Sequence, residues 1–159
     1  MDLRKIRRKR AFWWTAFGLW LVLAVYLSSQ NGSGSSDVSG WLATKLWRVS
    51  NALTKVLLDR GISYATFHFC VRKLAHFTVH LVLAFVTMRA SAWSFPRREE
   101  ATHFTVVLAL FMAIFDELIQ LVAPGRSSVA LDGVINLGGA VVGLLVSSRL
   151  GPNKPTKTS

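Results

Sequence analysis

Acids are scarce in this sequence and cysteine is almost missing. Eight Asp and Glu stand against 19 Lys and Arg, for a net charge of +11. With Cys70 alone, an intramolecular disulfide is excluded, and the residue reads as a small apolar filler. Neither GxGxxG nor GxxxxGKS/T occurs, so nucleotide-phosphate loops are excluded. No nucleic-acid motif accompanies the basic charge. The cations fall in short blocks beside apolar runs, the pattern that sets membrane orientation and meets anionic headgroups. Hydrophobic residues make up 52% of 159 and mean hydropathy is +0.39, too apolar for an ordinary soluble domain. The length suits one domain.

Residues 1–10, MDLRKIRRKR, hold six cations and one acid. The run AFWWTAFGLWLVLAVYLS, residues 11–28, carries no charge. It approaches a hydrocarbon core of roughly 30 Å at about 1.5 Å per residue. Trp13 and Trp14 sit at its basic end, where interfacial aromatics belong. A signal peptide would need a shorter apolar region and a small-residue cleavage site, and AVYLSSQNG is a poor one. Further spans are expected at about 74–95, 104–123 and 129–148. Between the first two, a helix over about 40–58 carries an apolar stripe of Leu42, Leu46, Val49, Leu53, Val56 and Leu57. It is too charged to span and reads as an amphipathic helix on the membrane surface or capping the bundle. The expected fold is all-α: four transmembrane helices plus an extracytoplasmic amphipathic helix between spans 1 and 2. The domain covers 11–148, with a basic cytoplasmic amino terminus and a polar tail at 149–159.

Cation bias orients the spans. The amino terminus, Arg89 with the SFPRREE turn, and the tail from Arg149 hold 12 of the 19 cations. Both termini are therefore expected in the cytoplasm.

The apolar spans carry polar residues at particular places. FDELIQLVAPG places Asp116, Glu117 and Gln120 near the end of the third span. One ionised carboxylate there costs roughly 2.5–3.5 kcal/mol on insertion scales. Ser28, Ser29, Gln30 and Asn31 end the first span, Lys73, His76 and His80 begin the second, and Asp132 and Asn136 begin the fourth. With alternating crossings, all of them fall in one half of the membrane, the outer one. The inner half reads as almost uniformly apolar. One shared polar cavity open to the outside is the economical expectation. Lys73, His76 and His80 lie on one helical stripe, as do Asp116 with Gln120 and Asp132 with Asn136. Gly139, Ala140 and Gly143 extend that last face, where small residues let helices approach closely. Asp116 and Glu117 point about 100° apart, so both border the interior only by bridging two clefts. Arg126, in the next turn, is placed to meet an acid or an anion. Each residue alone also has a purely structural reading as helix–helix glue; it is their number that favours a site.

KLAHFTVHLVLAF, DELIQLVAPGRSSVALDGVINLGGAVVG and SSQNGSGSS resemble the VanZ-like family of small bacterial integral membrane proteins. The family pattern K-x-x-H-F, D-E-x-x-Q, P-G-R and D-x-x-x-N-x-x-G is met at Lys73, His76 and Phe77; Asp116, Glu117 and Gln120; Pro124, Gly125 and Arg126; and Asp132, Asn136 and Gly139. His80 departs from the tyrosine usual there. The resemblance implies a plasma-membrane protein related to one associated with teicoplanin resistance. It implies no defined reaction.

Three functions compete. In the first, the cavity recognises or modifies a cell-envelope molecule, such as a lipid-linked wall precursor, or a glycopeptide. His76, Asp116, Glu117 and Asp132 are the catalytic candidates; Lys73, Gln120, Arg126, Asn136, Ser29 and Gln30 are the binding candidates. In the second, His76 and His80 ligate a metal for hydrolysis, which Lys73 and Arg126 oppose. In the third, the acids and imidazoles serve a transporter or proton relay, which an apolar inner half opposes. No metal or cofactor is expected, membrane lipids are expected partners, and GGAVVG is compatible with a homodimer.

Overall fold

The computed structural model describes residues 3–29, 40–41, 43–47, 49–52, 55, 63–122 and 130–150. Among them stand four long helices: α1 (Leu3–Ser29), α2 (Tyr64–Ser94), α3 (Arg98–Val122) and α4 (Ala130–Arg149). No strand occurs among the described residues. Each helix is long and apolar enough to cross a membrane, so the chain is an all-α, multi-pass membrane protein. Its burial pattern is that of a protein solvated by lipid. The largest side chains with essentially no exposure are all polar: Gln120, Asn136, Thr87, Thr105, Asp132, Ser91 and Ser147. Leu19, Val22, Val107 and Leu121 lie outside, each at least 65% exposed.

α2 is longer than the apolar run suggests. It begins ten residues before Leu74 and has 31 residues, about 46 Å at 1.5 Å each. Ser63 starts it: its hydroxyl accepts from Thr66 N at 3.2 Å and its carbonyl from Phe67 N at 3.0 Å. No Gly or Pro interrupts the stretch from 64 to 94. Pro96 ends it by holding Phe95 extended. α3 follows at Arg98, with Glu99 and Glu100 in its first turn, where the helix dipole favours acids.

The helices alternate in direction. At one end, the start of α1 meets the end of α2, where Trp14 Nε1 donates to Ser94 Oγ at 2.8 Å. The same end holds the start of α3 and the end of α4: Arg98 Nη2 donates to Ser148 O at 2.6 Å, and Arg89 donates to Leu150 O. Two cations thus satisfy one carbonyl in the last turn of α4 and one just past its end. Lys9 lies 5.2 Å from the Trp93 ring centroid and Arg89 lies 5.0 Å from that of Trp13. This is the basic end. At the other, polar end, Ser28 of α1 meets Asp116 of α3, and Lys73 of α2 meets Asp132 of α4.

α2 packs against all three other long helices, most extensively against α4. Gly139 and Gly143 make that approach. A Cβ on Gly139 would lie 3.0 Å from the Phe77 carbonyl carbon, and one on Gly143 2.9 Å from that of Leu81. Backbone cannot yield there, so α4 is held against α2 by the absence of two side chains. The small-residue face therefore serves contact within one chain, between α4 and α2.

The described residues between 40 and 55 are helical. The contact with α2 is made by Trp47, which lies off the apolar stripe. Ala43 is fully buried, and Trp47 lies against Tyr64 and Phe67 with centroids 5.6 and 5.5 Å apart. Thr44 and Tyr64 share a hydrogen bond of 3.1 Å. Leu46 and Val49 of the stripe are exposed, while Leu42, Leu53, Val56 and Leu57 lie outside the described residues. Trp47 follows Leu46 by about 100° of helix, and its large ring fits the aromatic face that α2 presents only because α2 starts at Tyr64.

Candidate functional site

Asp116 is the hub of the polar end. It is 3% exposed, yet it meets side chains from all four long helices. Ser28 of α1 donates to Oδ1. Gln120 Nε2, one turn further along α3, donates to Oδ2 at 2.9 Å, and Asn136 Nδ2 of α4 donates to the same oxygen at 2.8 Å. His76 Nδ1 and His80 Nε2 of α2 stand 3.6 and 3.8 Å from Oδ2. Those separations are too long for hydrogen bonds but short enough for electrostatic attraction. A carboxylate offers about four acceptor sites, and three are taken by protein donors. The acid persists in an apolar span because the bundle supplies its solvation.

A second carboxylate is held separately. Asp132, in the first turn of α4, pairs with Lys73 of α2. Lys73 Nζ also lies 4.9 Å from the Phe69 ring centroid. The Lys73–His76–His80 stripe thus serves two acids: the lysine takes Asp132 and both imidazoles turn to Asp116. Glu117 points away from its neighbour, as adjacency on a helix demands. It lies against Gly133 of α4, where a Cβ would be 3.8 Å from its Cγ. Among the described residues, no group of three or more His, Cys, Asp or Glu is placed to hold a metal ion.

These positions refine several expectations. Asp116, Gln120, Asp132 and Asn136 are each at most 3% exposed, so they close on partners within the bundle and do not line open space. Ser29 stays outside the cluster: it is exposed and donates to Tyr26 O at 2.9 Å. Ser28, about 100° away on the same turn, makes the contact with Asp116. Gln30 and Arg126 lie outside the described residues. His80 is buried and joins the cluster despite its departure from the family pattern.

The other half of the bundle is not uniformly apolar. Thr87, Ser91, Thr105 and Ser147 are buried there. Thr87 donates to Leu83 O and Thr105 to Ala101 O, each at 2.7 Å. By bonding a carbonyl one turn back, a hydroxyl passes as an apolar side chain within its own helix. Thr87 and Thr105 line one small cavity between α2 and α3, and spacing within one helix does not show that.

The family model described as VanZ/LLP1 matches residues 13–151. No curated protein and no solved structure matches the chain. The matched stretch takes in every residue of the Asp116 cluster and the Lys73–Asp132 pair. The chain belongs to the VanZ/LLP1 family.

Proposed function

We propose that this protein recognises or modifies a cell-envelope or lipid-linked molecule at a polar site within the bacterial plasma membrane. On this reading the site faces the outside, both termini are cytoplasmic, and the activity bears on teicoplanin-type resistance. The observation that carries it is the convergence of all four long helices on Asp116, with Lys73–Asp132 and Glu117 beside it. Intramembrane ionisable groups are costly and mark function when gathered in one place. The orientation draws on the far end, where Lys9, Arg89 and Arg98 meet tryptophans and helix carbonyls. Clustered cations favour the cytoplasmic side.

The roles follow from chemistry. An anionic headgroup would compete with Asp132 for Lys73, with Arg126 as a second cation. Releasing Asp132 would leave it beside Glu117 as an acceptor or general base. Asp116 holds the histidines in place. Expression in a teicoplanin-susceptible host tests this reading. Wild type should raise the inhibitory concentration, and His76→Ala, Glu117→Ala and Asp132→Ala should abolish the rise at unchanged membrane abundance. No rise with wild type, or an unchanged rise in all three variants, would refute it.

A further inference from the structure

The geometry points to a second site, at the basic end, where α1 and α2 hold the phosphate of an anionic phospholipid between Lys9 and Arg89. Lys9 and Trp13 are one turn apart on α1, and Arg89 and Trp93 are one turn apart on α2. The two helices run antiparallel, so each cation reaches the indole of the facing helix. Lys9 Nζ lies 5.2 Å from the Trp93 ring centroid, and Arg89 Cζ lies 5.0 Å from that of Trp13. These crossed contacts join four side chains into one closed ring across the interface. They also set the spacing of the cations. Lys9 stands level with Trp93, and so about 5.4 Å, one helical turn, along the bundle from Arg89. Charge-assisted hydrogen bonds of about 2.8 Å to two oxygens of one phosphate span such a gap.

No carboxylate neutralises this pair. Among the described residues, neither Lys9, Arg89 nor the nearby Arg98 pairs with an acid, and the ion pairs of Asp116 and Asp132 lie at the opposite end. Backbone carbonyls of Leu150 and Ser148 take one N–H from each arginine. Arg89 Nε and the indole N–H of Trp93 are buried without a partner. The basic end thus holds more donors and more positive charge than the protein answers there, and a phosphate supplies the missing charge. A membrane lipid suits the place better than a soluble anion. Trp13 and Trp93 mark headgroup depth, and Phe12 and Leu19 of α1, 63% and 70% exposed, offer apolar wall for acyl chains. A zwitterionic lipid carries its own ammonium, so an anionic headgroup such as phosphatidylglycerol is the class preferred. This site lies at the other end of the bundle from Asp116, goes beyond the ligand reading and stands or falls separately.

Native mass spectrometry of the full chain in detergent, titrated with phosphatidylglycerol or phosphatidylcholine of equal chain length, tests the site. Wild type should hold phosphatidylglycerol at concentrations lower than phosphatidylcholine by about tenfold or more. Lys9→Gln/Arg89→Gln should bring the two lipids close together. Arg89 also holds the end of α4, so Lys9→Gln, at an exposed position near the start of α1, carries the same expectation should the double variant aggregate. Lys9→Arg keeps the charge and should keep the preference. Arg7→Gln/Arg8→Gln removes two exposed cations outside the ring and should keep it too. Excess inorganic phosphate should leave the phosphatidylglycerol adduct in place. No preference in wild type, a preference undiminished in Lys9→Gln, or an equal loss in Arg7→Gln/Arg8→Gln would overturn the site. Displacement by inorganic phosphate would give it to a soluble anion and overturn the lipid assignment.

Discussion

Asn136 Nδ2 donates to Asp116 Oδ2 at 2.8 Å, and the two side chains belong to residues only 0% and 3% exposed. The bond ties α4 to α3, and Gln120 reinforces it on the same oxygen. Removing the acceptor orphans several buried donors at once, whereas removing one donor leaves the others in place. Asp116→Ala should therefore cost roughly 3–5 kcal/mol, and Asn136→Ala or Gln120→Ala about 1–2 kcal/mol each. Ser29→Ala, outside the cluster, should stay within about 0.5 kcal/mol. Denaturant unfolding in detergent measures all four. An Asp116→Ala protein as stable as Ser29→Ala would contradict the hub.

The α2–α4 approach makes a sharper steric prediction. Gly139→Ala and Gly143→Ala force a Cβ into the α2 backbone, and each should cost about 1–3 kcal/mol or more. Gly138→Ala is the internal control. Its Cβ would find Phe77 Cε2 at an ordinary 3.9 Å. The expected order of thermal midpoints places Gly138→Ala beside wild type and the other two below it. Equal midpoints for all three would show that the helices part without cost.

Lys73 and Asp132 should behave as a unit. Their side chains are 14% and 2% exposed, so Lys73→Met strands a buried carboxylate. The single change should cost roughly 3–5 kcal/mol, and Lys73→Met/Asp132→Leu should recover most of that. A double-mutant cycle on unfolding free energies reads the coupling. Strict additivity would mean that the pair contributes nothing.

Trp47 should hold the segment between 40 and 55 onto α2. Trp47→Ala should raise backbone hydrogen exchange across residues 43–52 while α3 and α4 keep their protection. Val49→Ala, at a position 69% exposed, should leave exchange near the wild-type pattern. Identical exchange in the two variants would place the docking contact elsewhere.

Trp47, off the apolar stripe yet packed on Tyr64 and Phe67, shows where sequence pattern stops. Four spans were readable because apolar runs of membrane length have few alternatives. Asp116, Gln120, Asp132 and Asn136 were readable because polar residues in such runs are costly and their spacing fixes a shared face. Ser28 could not be chosen over Ser29, since helix phase against a partner decides that and neither residue encodes it. The true start of α2 was hidden because His68, Arg72 and Lys73 dilute its hydropathy while the cap at Ser63 still sets the helix. Thr87 and Thr105 were hidden for the opposite reason: a hydroxyl bonded to its own helix looks apolar in pattern.

Sidedness of the polar end is the claim on which the ligand reading stands, and single-cysteine labelling in intact cells reads it directly. In a Cys70→Ser background, Lys45→Cys marks the segment docked on α2 and Arg97→Cys marks the turn between α2 and α3; both positions are exposed. A membrane-impermeant maleimide should label Lys45→Cys without permeabilisation and Arg97→Cys only after it. The reverse pattern would turn Lys73, Asp132 and Glu117 toward the cytoplasm and contradict a site facing the cell envelope.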